Sequence, residues 1–323
     1  MSTKKHILAL LESNRGQSIS GGHIAEQLNI SRNAVWKAIK ELEKDGYRIK
    51  AATNKGYCLC EDNDILSVQG IVPFLSQKET ADKIFVYPSL ESTNKTAKEM
   101  AISEAKHGTI IIADQQTAGK GRYGRNFHSP AAHGIYMSFI LHPAQLGFDT
   151  PTMVTSFAAV AVCESIEAIS EKTPQIKWVN DIFLDGKKIC GILTEAVTDY
   201  ESGNVEWVVV GIGINFSTPD FPEDLRQIAG AVFTGEHFPA TRNHLAGEVI
   251  NRLTANRCGK KEMMDKYKKR LMMLGKKILV IGAEQPYEAL AVDIDDIGRL
   301  IVKKDDGEIL SLSSGEISIK VCA

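Results

Sequence analysis

The 323-residue chain has no run of apolar residues near the ~18–20 needed to cross a bilayer. Its longest runs, Phe157–Cys163 and Trp207–Val210, stop well short. Ile7–Leu11 follows Lys4 and Lys5 but is shorter than the roughly 7–15 residues of a signal-peptide core. The six cysteines (58, 60, 163, 190, 258 and 322) make no C-x-x-C pair and have no His-x-x-x-His partner nearby. That argues against a zinc site or a disulfide scaffold and for reduced thiols in the cytoplasm. Hydrophobic residues at 43% and charged residues at 24% exclude a disordered or collagen-like chain. The length accommodates two or three domains of roughly 100–200 residues. Neither sign of charge predominates overall, with a net of −2, but the charge is unevenly spread. Residues 1–60 carry a net +5 and the remainder a net −7. A small basic module on a larger acidic body suggests two tasks, one of them with a polyanion.

Residues 1–60 read as three short helices and a hairpin. His6–Glu12 is apolar on one face. Ser20 is a candidate N-cap for a second helix with Ile24, Ala25 and Leu28 inward. Asn29-Ile30 makes a tight turn. Ser31 then caps a third helix, with Val35, Ile39 and Leu42 at helical spacing and Gly46 as its stop. Tyr47–Ala51 and Gly56–Leu59 read as strands around the turn Asn54-Lys55-Gly56. This is the winged helix-turn-helix plan. Ser31, Arg32, Asn33, Trp36, Lys37 and Lys40 are the candidate DNA-reading face of the third helix. Arg48, Lys50 and Lys55 would meet phosphates from the wing. A helical interaction module with a solvated basic face is the competing reading.

The strand Ile110–Ala113 leads into a loop in which Gly119, Gly121 and Gly124 match G-x-G-x-x-G. A dinucleotide fold needs a helix beginning inside that motif and an acid about 20 residues on. Here Asn126-Phe127-His128-Ser129-Pro130 is turn-like, and the apolar strand Phe139–His142 follows without an acid. Lys120, Arg122 and Arg125 interleave with the glycines. Three cations on a flexible loop suit a polyphosphate or acyl-phosphate, and such a loop should order when an anion neutralises it.

Three further segments complete a pattern: Ser92-Thr93-Asn94 opening a helix after the strand Ile84–Tyr87, Lys177-Trp178-Val179-Asn180-Asp181 ahead of Gly186–Glu195, and Gly211-Ile212-Gly213-Ile214-Asn215 ending a strand. With the Gly–Arg loop and the helical module, they resemble the biotin–protein ligases, specifically the bifunctional ligases that also repress the biotin operon. The resemblance runs over essentially the whole chain. It implies an α+β multidomain protein: a winged helix-turn-helix at 1–64, a class II synthetase-like mixed α/β catalytic domain at 65–273, and an SH3-like barrel at 274–323. Five short strands from Lys277 to Val321, ending near Gly315-Glu316-Ile317, fit the last of these.

The resemblance further implies two-step chemistry. Biotin and MgATP yield biotinyl-5′-adenylate, which a lysine of a biotin carboxyl carrier protein then attacks. It places Ser92, Thr93, Asn94, Gln116, Gly119, Lys120, Gly121, Arg122, Lys188 and Gly191 around biotin. Arg122, Arg125, Phe127 and Asn215 fall to the nucleotide, with Asn215 at the ribose. Lys188 and Arg122 carry the chemistry, with Asp181 orienting Lys188 or serving Mg²⁺, and the strand Ile135–Phe139 is expected to supply an apolar wall. No protein-bound metal and no covalent acyl-enzyme are implied. Lys177 and Lys187 read as solvent-facing neighbours and Trp178 as core. With the adenylate bound, the Gly–Arg loop and Ser217–Gly230 are expected to order and to favour a homodimer on a two-fold operator. Three positions depart from the family: Phe127 stands for tryptophan, Val179 for proline, and Lys120 for an arginine. The alternatives are a ligand-sensing regulator without chemistry and a lipoate–protein ligase.

Overall fold

A computed structural model describes residues 2–52, 55–103, 105–148, 150–198, 205–235, 238–255, 259–281, 285–313 and 316–319. Asn54, Cys258, Gly315, Val321 and Cys322 lie outside the described residues. The chain divides into two compact units, Met1–Ala81 with Ala240–Glu248, and Asp82–Pro239 with Val249–Ala323.

The first unit opens with α1 (Thr3–Ser13), α2 (Gly21–Gln27) and α3 (Arg32–Lys44). Each begins at a serine, Ser2, Ser20 or Ser31, whose side chain accepts a hydrogen bond from a backbone N–H three residues on. This satisfies one donor that the first helical turn leaves open. Ile7, Leu11, Ile24, Val35, Ile39 and Leu42 are all but inaccessible and form one core. Gly46, at φ 92°, ends α3 in the left-handed conformation. The hairpin β1 (Ile49–Ala52) and β2 (Gly56–Leu59) follows, antiparallel, with Ile49 opposite Leu59. Tyr47, expected to open the first strand, lies before it as a buried core residue. After the hairpin the chain runs through residues 60–67 into a short helix, α4 (Val68–Ile71). Arg15 donates to the carbonyls of Glu61 and Asn63. Arg242 is buried against Asp64, its Nε 3.0 Å from Oδ2. Asn243 donates to Ile65 O and accepts from Ser67 N.

In the second unit, β3 (Ile84–Tyr87), α5 (Thr93–Ile102), β4 (Thr109–Ala113) and β5 (Gly134–Leu141) come first. Then follow α6 (Pro143–Leu146), α7 (Pro151–Ile169), β6 (Gln175–Lys177), β7 (Asp181–Leu184), β8 (Lys187–Thr198) and β9 (Val205–Asn215). The seven strands are ordered β3-β4-β5-β9-β8-β7-β6. Only β3 and β4 are parallel; each other neighbouring pair is antiparallel. A doubly wound dinucleotide sheet is parallel, so this topology excludes one.

By length and composition α7 could cross a membrane, which the short apolar runs did not suggest, yet 78% of its most apolar window is buried inside the unit. Met153, Ala158, Val162 and Ile166 are among its buried residues, so it is a core helix. α8 (Arg242–Ala255) and α9 (Lys260–Arg270) precede β10 (Lys277–Ile281), β11 (Tyr287–Ile294), β12 (Leu300–Lys303), β13 (Ile309–Leu312) and β14 (Glu316–Ile319). These five form an antiparallel sheet in the order β13-β12-β11-β10-β14. Trp178 Nε1 donates to Gly298 O and Lys268 pairs with Asp293, which ties this sheet to the rest of its unit.

Candidate active site

A cavity of about 400 Å³ opens in the second unit, between the N-terminal turn of α5, the Gly–Arg loop, β7, the paired strands β8 and β9, and residues 225–229. Its floor is set by glycines. On β9, Gly211 and Gly213 are two apart and so share a face. A Cβ at Gly211 would lie 2.1 Å from Asn94 Oδ1, and one at Gly213 2.5 Å from the ring of Phe127. Gly191 of β8 is paired directly with Gly213, and a Cβ there would be 3.2 Å from the same ring. The two glycines thus form a side-chain-free seat on which Phe127 rests. The expected wall from Ile135–Phe139 is not there: β5 is wholly buried, and Ile192, Leu193 and Ile212 line the cavity instead. β5 lies one strand further from β8, beyond β9, so its residues contribute from behind.

At one end, polar groups bond to one another. Ser92 Oγ caps α5, accepting from Lys95 N at 3.5 Å. Gln116 Oε1 accepts from Thr93 N at 2.8 Å and from Thr93 Oγ1 at 3.1 Å, while its Nε2 donates to Ser129 at 3.0 Å. Ser138 Oγ lies 2.8 Å from Thr93 Oγ1 and 2.7 Å from Asn94 Oδ1. Asn94 Nδ2 donates to Leu193 O and to Glu195 Oε2. Burial pushes the Glu195 carboxyl up, but hydrogen bonds from Lys98 and Asn94 and the charges of Lys98 and Lys120 outweigh it, so the group titrates below its ordinary value. The network fixes which way each amide and hydroxyl points. Ser92, Thr93, Asn94 and Gln116 all border the cavity.

At the other end are the cations. Lys188 Nζ is 2.7 Å from Asp181 Oδ1, an ion pair off the hydrogen-bonding direction. Both groups face the cavity. Arg122 reaches across it and donates from Nη1 to Asn180 Oδ1 at 3.2 Å. Asn180 Nδ2 is committed to Ile192 O at 2.9 Å, so its oxygen must face the guanidinium. Arg122 also lies over the ring of Tyr123, which has a left-handed φ of 57°. The loop itself is a closed hairpin: Gly121 N donates to Arg125 O, Arg125 N to Arg122 O, and Phe127 N to Gly119 O. Lys120, Gly121, Arg125 and Lys177 border the cavity too. Cys190 neighbours Lys188, but burial pushes its thiol well above the ordinary value, so it offers no thiolate nucleophile.

Two expected residues are not brought to the cavity. Asn215 is buried, with Nδ2 donating to Gly230 O and its backbone oxygen accepting from Val232 N. It pins the chain after residue 217 rather than facing the opening. Gly119 is buried behind the loop, where a Cβ would meet Ser129, Phe127 O and Gln116 within 2.9 Å. Lys187 stays partly exposed, as expected of a solvent-facing neighbour, but its Nζ also donates to the carbonyls of Arg226 and Gln227. The Trp178–Val179 bond is cis, and Val179 O accepts from buried Tyr267. Asn180, Tyr123, Ile192, Leu193 and Ile212 lie within the motif segments but had no role assigned there, and Leu225 lies outside them; all border the cavity. The alternating glycines of β9 were the available signal.

On the first unit, Arg32, Asn33, Trp36, Lys37 and Lys40 are exposed along α3, off its buried stripe, with Trp36 51% accessible. Ser31 is exposed and occupied as the cap. Lys40 pairs with Glu43 at 2.6 Å and Arg48 with Asp62 at 2.9 Å. Lys50 and Lys55 are exposed on the hairpin. Among the described residues there is no cluster of His, Cys, Asp or Glu fit to hold a metal.

Three family models match the chain: an HTH domain over residues 3–58, the biotin/lipoate A/B protein ligase family over 86–215, and the biotin protein ligase C-terminal domain over 273–320. A bifunctional ligase/repressor from Bacillus spizizenii is 41% identical over 228 residues, 70% of this chain and 69% of that protein. The one from Escherichia coli is 27% identical over 319 residues, 97% of this chain and 96% of its own length. The biotin protein ligase of Aquifex aeolicus, solved with biotin and ATP, superposes with a TM-score of 0.63 at 27% identity, covering 73% of this chain and 98% of that one.

Proposed function

The chain belongs to the family of bifunctional biotin–protein ligases and repressors, and from that premise we infer how its cavity works. It is an ATP-dependent biotin–protein ligase with a DNA-binding module, and biotin and ATP are its substrates. In the first step a carboxylate oxygen of biotin attacks the α-phosphorus of ATP and the bond to pyrophosphate breaks. In the second, a lysine amine of a biotin carrier protein attacks the acyl carbon, AMP leaves, and the amine loses a proton.

The observation that carries this reading is one cavity with a polar end, a glycine-floored middle and a cationic end. The Thr93–Gln116–Ser138 cluster suits the ureido ring, with Ser92 and Asn94 bordering it. Ile192, Leu193 and Ile212 suit the apolar bicycle and tail. Gly119 shapes the loop from behind, while Gly121 and Gly191 let backbone and ring approach. Biotin's carboxylate must come up to a triphosphate, and each cation about 4 Å away offsets roughly 4 kcal/mol of that repulsion at an effective dielectric of 20. Lys188 and Arg122 hold the developing charge. Asp181 orients Lys188. Lys120 and Arg125 face the phosphates, and Phe127 stacks on the adenine. Mg²⁺ enters with ATP, held mainly by its phosphates as this hard cation prefers. Asn215, whose amide donates to Gly230 O, pins the chain there.

The functional domains run 1–64, 65–273 and 274–323: a winged helix-turn-helix, a class II synthetase-like catalytic domain and an SH3-like barrel. α3 enters the major groove and the hairpin meets phosphates. The adenylate, by filling the cavity under the Gly–Arg loop and residues 217–230, favours a homodimer on a two-fold operator. Dependence on ATP supports a cytoplasmic site of action.

The test is incubation with labelled biotin, ATP and a biotin carrier domain. Label should pass to one carrier lysine, with AMP released, and lipoate should not substitute. Absence of ATP-dependent labelling would overturn the enzyme reading. Gel shifts on the biotin-gene operator should tighten with biotin plus ATP over biotin alone; equal affinity would remove the corepressor.

A further inference from the structure

Lys187 and Lys188 are consecutive on β8, so their side chains leave opposite faces of the strand. Lys188 points to the cavity, while Lys187 is turned to the segment that closes one side of it. That segment folds into a single turn, with Leu225 N and Arg226 N donating to Pro222 O, and Ala229 N to Leu225 O. A lone turn leaves its last carbonyls without intrahelical partners. Lys187 Nζ takes two of them, Arg226 O at 3.0 Å and Gln227 O at 2.7 Å. The next residues join β8 directly: Lys188 N donates to Ile228 O, and Gly230 N to Lys188 O. Leu225, Ile228 and Ala229 thereby reach the cavity wall. The approach is so close that a Cβ on Gly230 would sit 2.6 Å from Lys187 Cβ.

We propose that Lys187 is a positioning residue for this reaction: its ammonium latches residues 222–230 onto the strand that carries Lys188, closing the wall that retains the adenylate. The inference rests on the ligase reading for its ligand but not for its geometry. Lys187 does not border the cavity, so its loss should spare bond making and speed release of the intermediate. Two charge-assisted hydrogen bonds at a half-exposed site correspond to about tenfold in the loop's opening equilibrium.

The carbonyl of Arg226 belongs to the bond that trypsin cuts, which allows a direct reading. Limited trypsin digestion of the full chain, with fragments located by mass spectrometry, should cut after Arg226 about tenfold faster in Lys187→Met than in wild type. Lys187→Arg, which restores the donors, should return near the wild-type rate. Gly230→Ala, with Lys187 intact but displaced, should also speed the cut, and the double variant should add little. In parallel, the dissociation rate of preformed biotinyl-adenylate should rise about tenfold in Lys187→Met, with adenylate formation at saturating biotin and ATP changed less than threefold. Unchanged cleavage and unchanged adenylate release would overturn the latch, as would an equal loss in Lys187→Arg. A wild-type protein that makes no adenylate but shows the cleavage pattern would retain the latch and overturn the ligase reading.

Discussion

The cations of α3 and those of the cavity have the same charge and opposite mounting. Arg32 and Lys37 stand on the exposed face of α3, opposite its apolar stripe, where Lys40 pairs with Glu43. Lys188 and Arg122 are each tied to a named oxygen, Asp181 Oδ1 at 2.7 Å and Asn180 Oδ1 at 3.2 Å. A nucleic-acid backbone repeats its charge, so mobile positive side chains can find it, and they bind through counterion release. A transferring acyl group offers one point of developing charge, and only a donor already aimed there lowers its barrier. The difference teaches that charge counting finds both regions, while the partner of each cation tells them apart.

The comparison breaks most visibly at Lys188. Lys188→Ala should cut adenylate formation about 10²–10³-fold, matching the ~3–4 kcal/mol of a lost preorganised stabiliser. Single-turnover formation measured by pyrophosphate release would check it, and wild-type turnover would contradict the assignment. Next is Arg32→Ala on α3. It should lose ~1–3 kcal/mol of operator binding and relax base preference at one position. Titrations on operator variants would show this, whereas an equal loss on all sequences would make Arg32 a phosphate contact.

Gly211→Ala probes the mounting of the polar end. Its methyl would lie 2.1 Å from Asn94 Oδ1, an amide held by hydrogen bonds to Leu193 O, Glu195 and Ser138, and should destabilise the second unit by about 1–3 kcal/mol. Denaturant unfolding would measure it, and an unchanged midpoint would show that Asn94 can move. Lys37→Ala should reduce the slope of log affinity against log salt by about one, without changing sequence preference.

The smallest effect concerns Glu195. Its folded value lies below the ordinary carboxylate value, so its stabilisation is full above that ordinary value and is lost as pH falls through the folded one. Wild type should therefore lose more stability than Glu195→Gln on acidification from pH 7 to about 3.5. Parallel melting curves would refute the role given to Lys98 and Asn94.

Much of the fold was legible because local chemistry marks it. Ser20, Ser31 and Ser92 announce three helix starts, and each is a cap in the structure. The strand limits Ile84–Tyr87, Gly56–Leu59 and Lys277–Ile281 follow from runs of apolar and β-branched residues between turns. The motifs around Lys188 and Arg122 were legible too. What sequence could not yield was sheet order. Ile135–Phe139 is apolar enough to be a wall, but β9 stands between its strand and β8. Asn215 ends a glycine-rich motif, yet the chain turns back at Gly230 and consumes its amide. Lys187 looked like a spare charge because its partners are backbone carbonyls 39 and 40 residues away, which no side-chain motif records.

The bare seat under Phe127 makes the protein open to size-selective chemistry. Gly191 and Gly213 face each other across two strands, and one removable ring covers them. Trimming that ring to alanine would leave a hollow floored by backbone. The same bareness makes the spot brittle, since any branch added to either glycine is paid for by the ring above it.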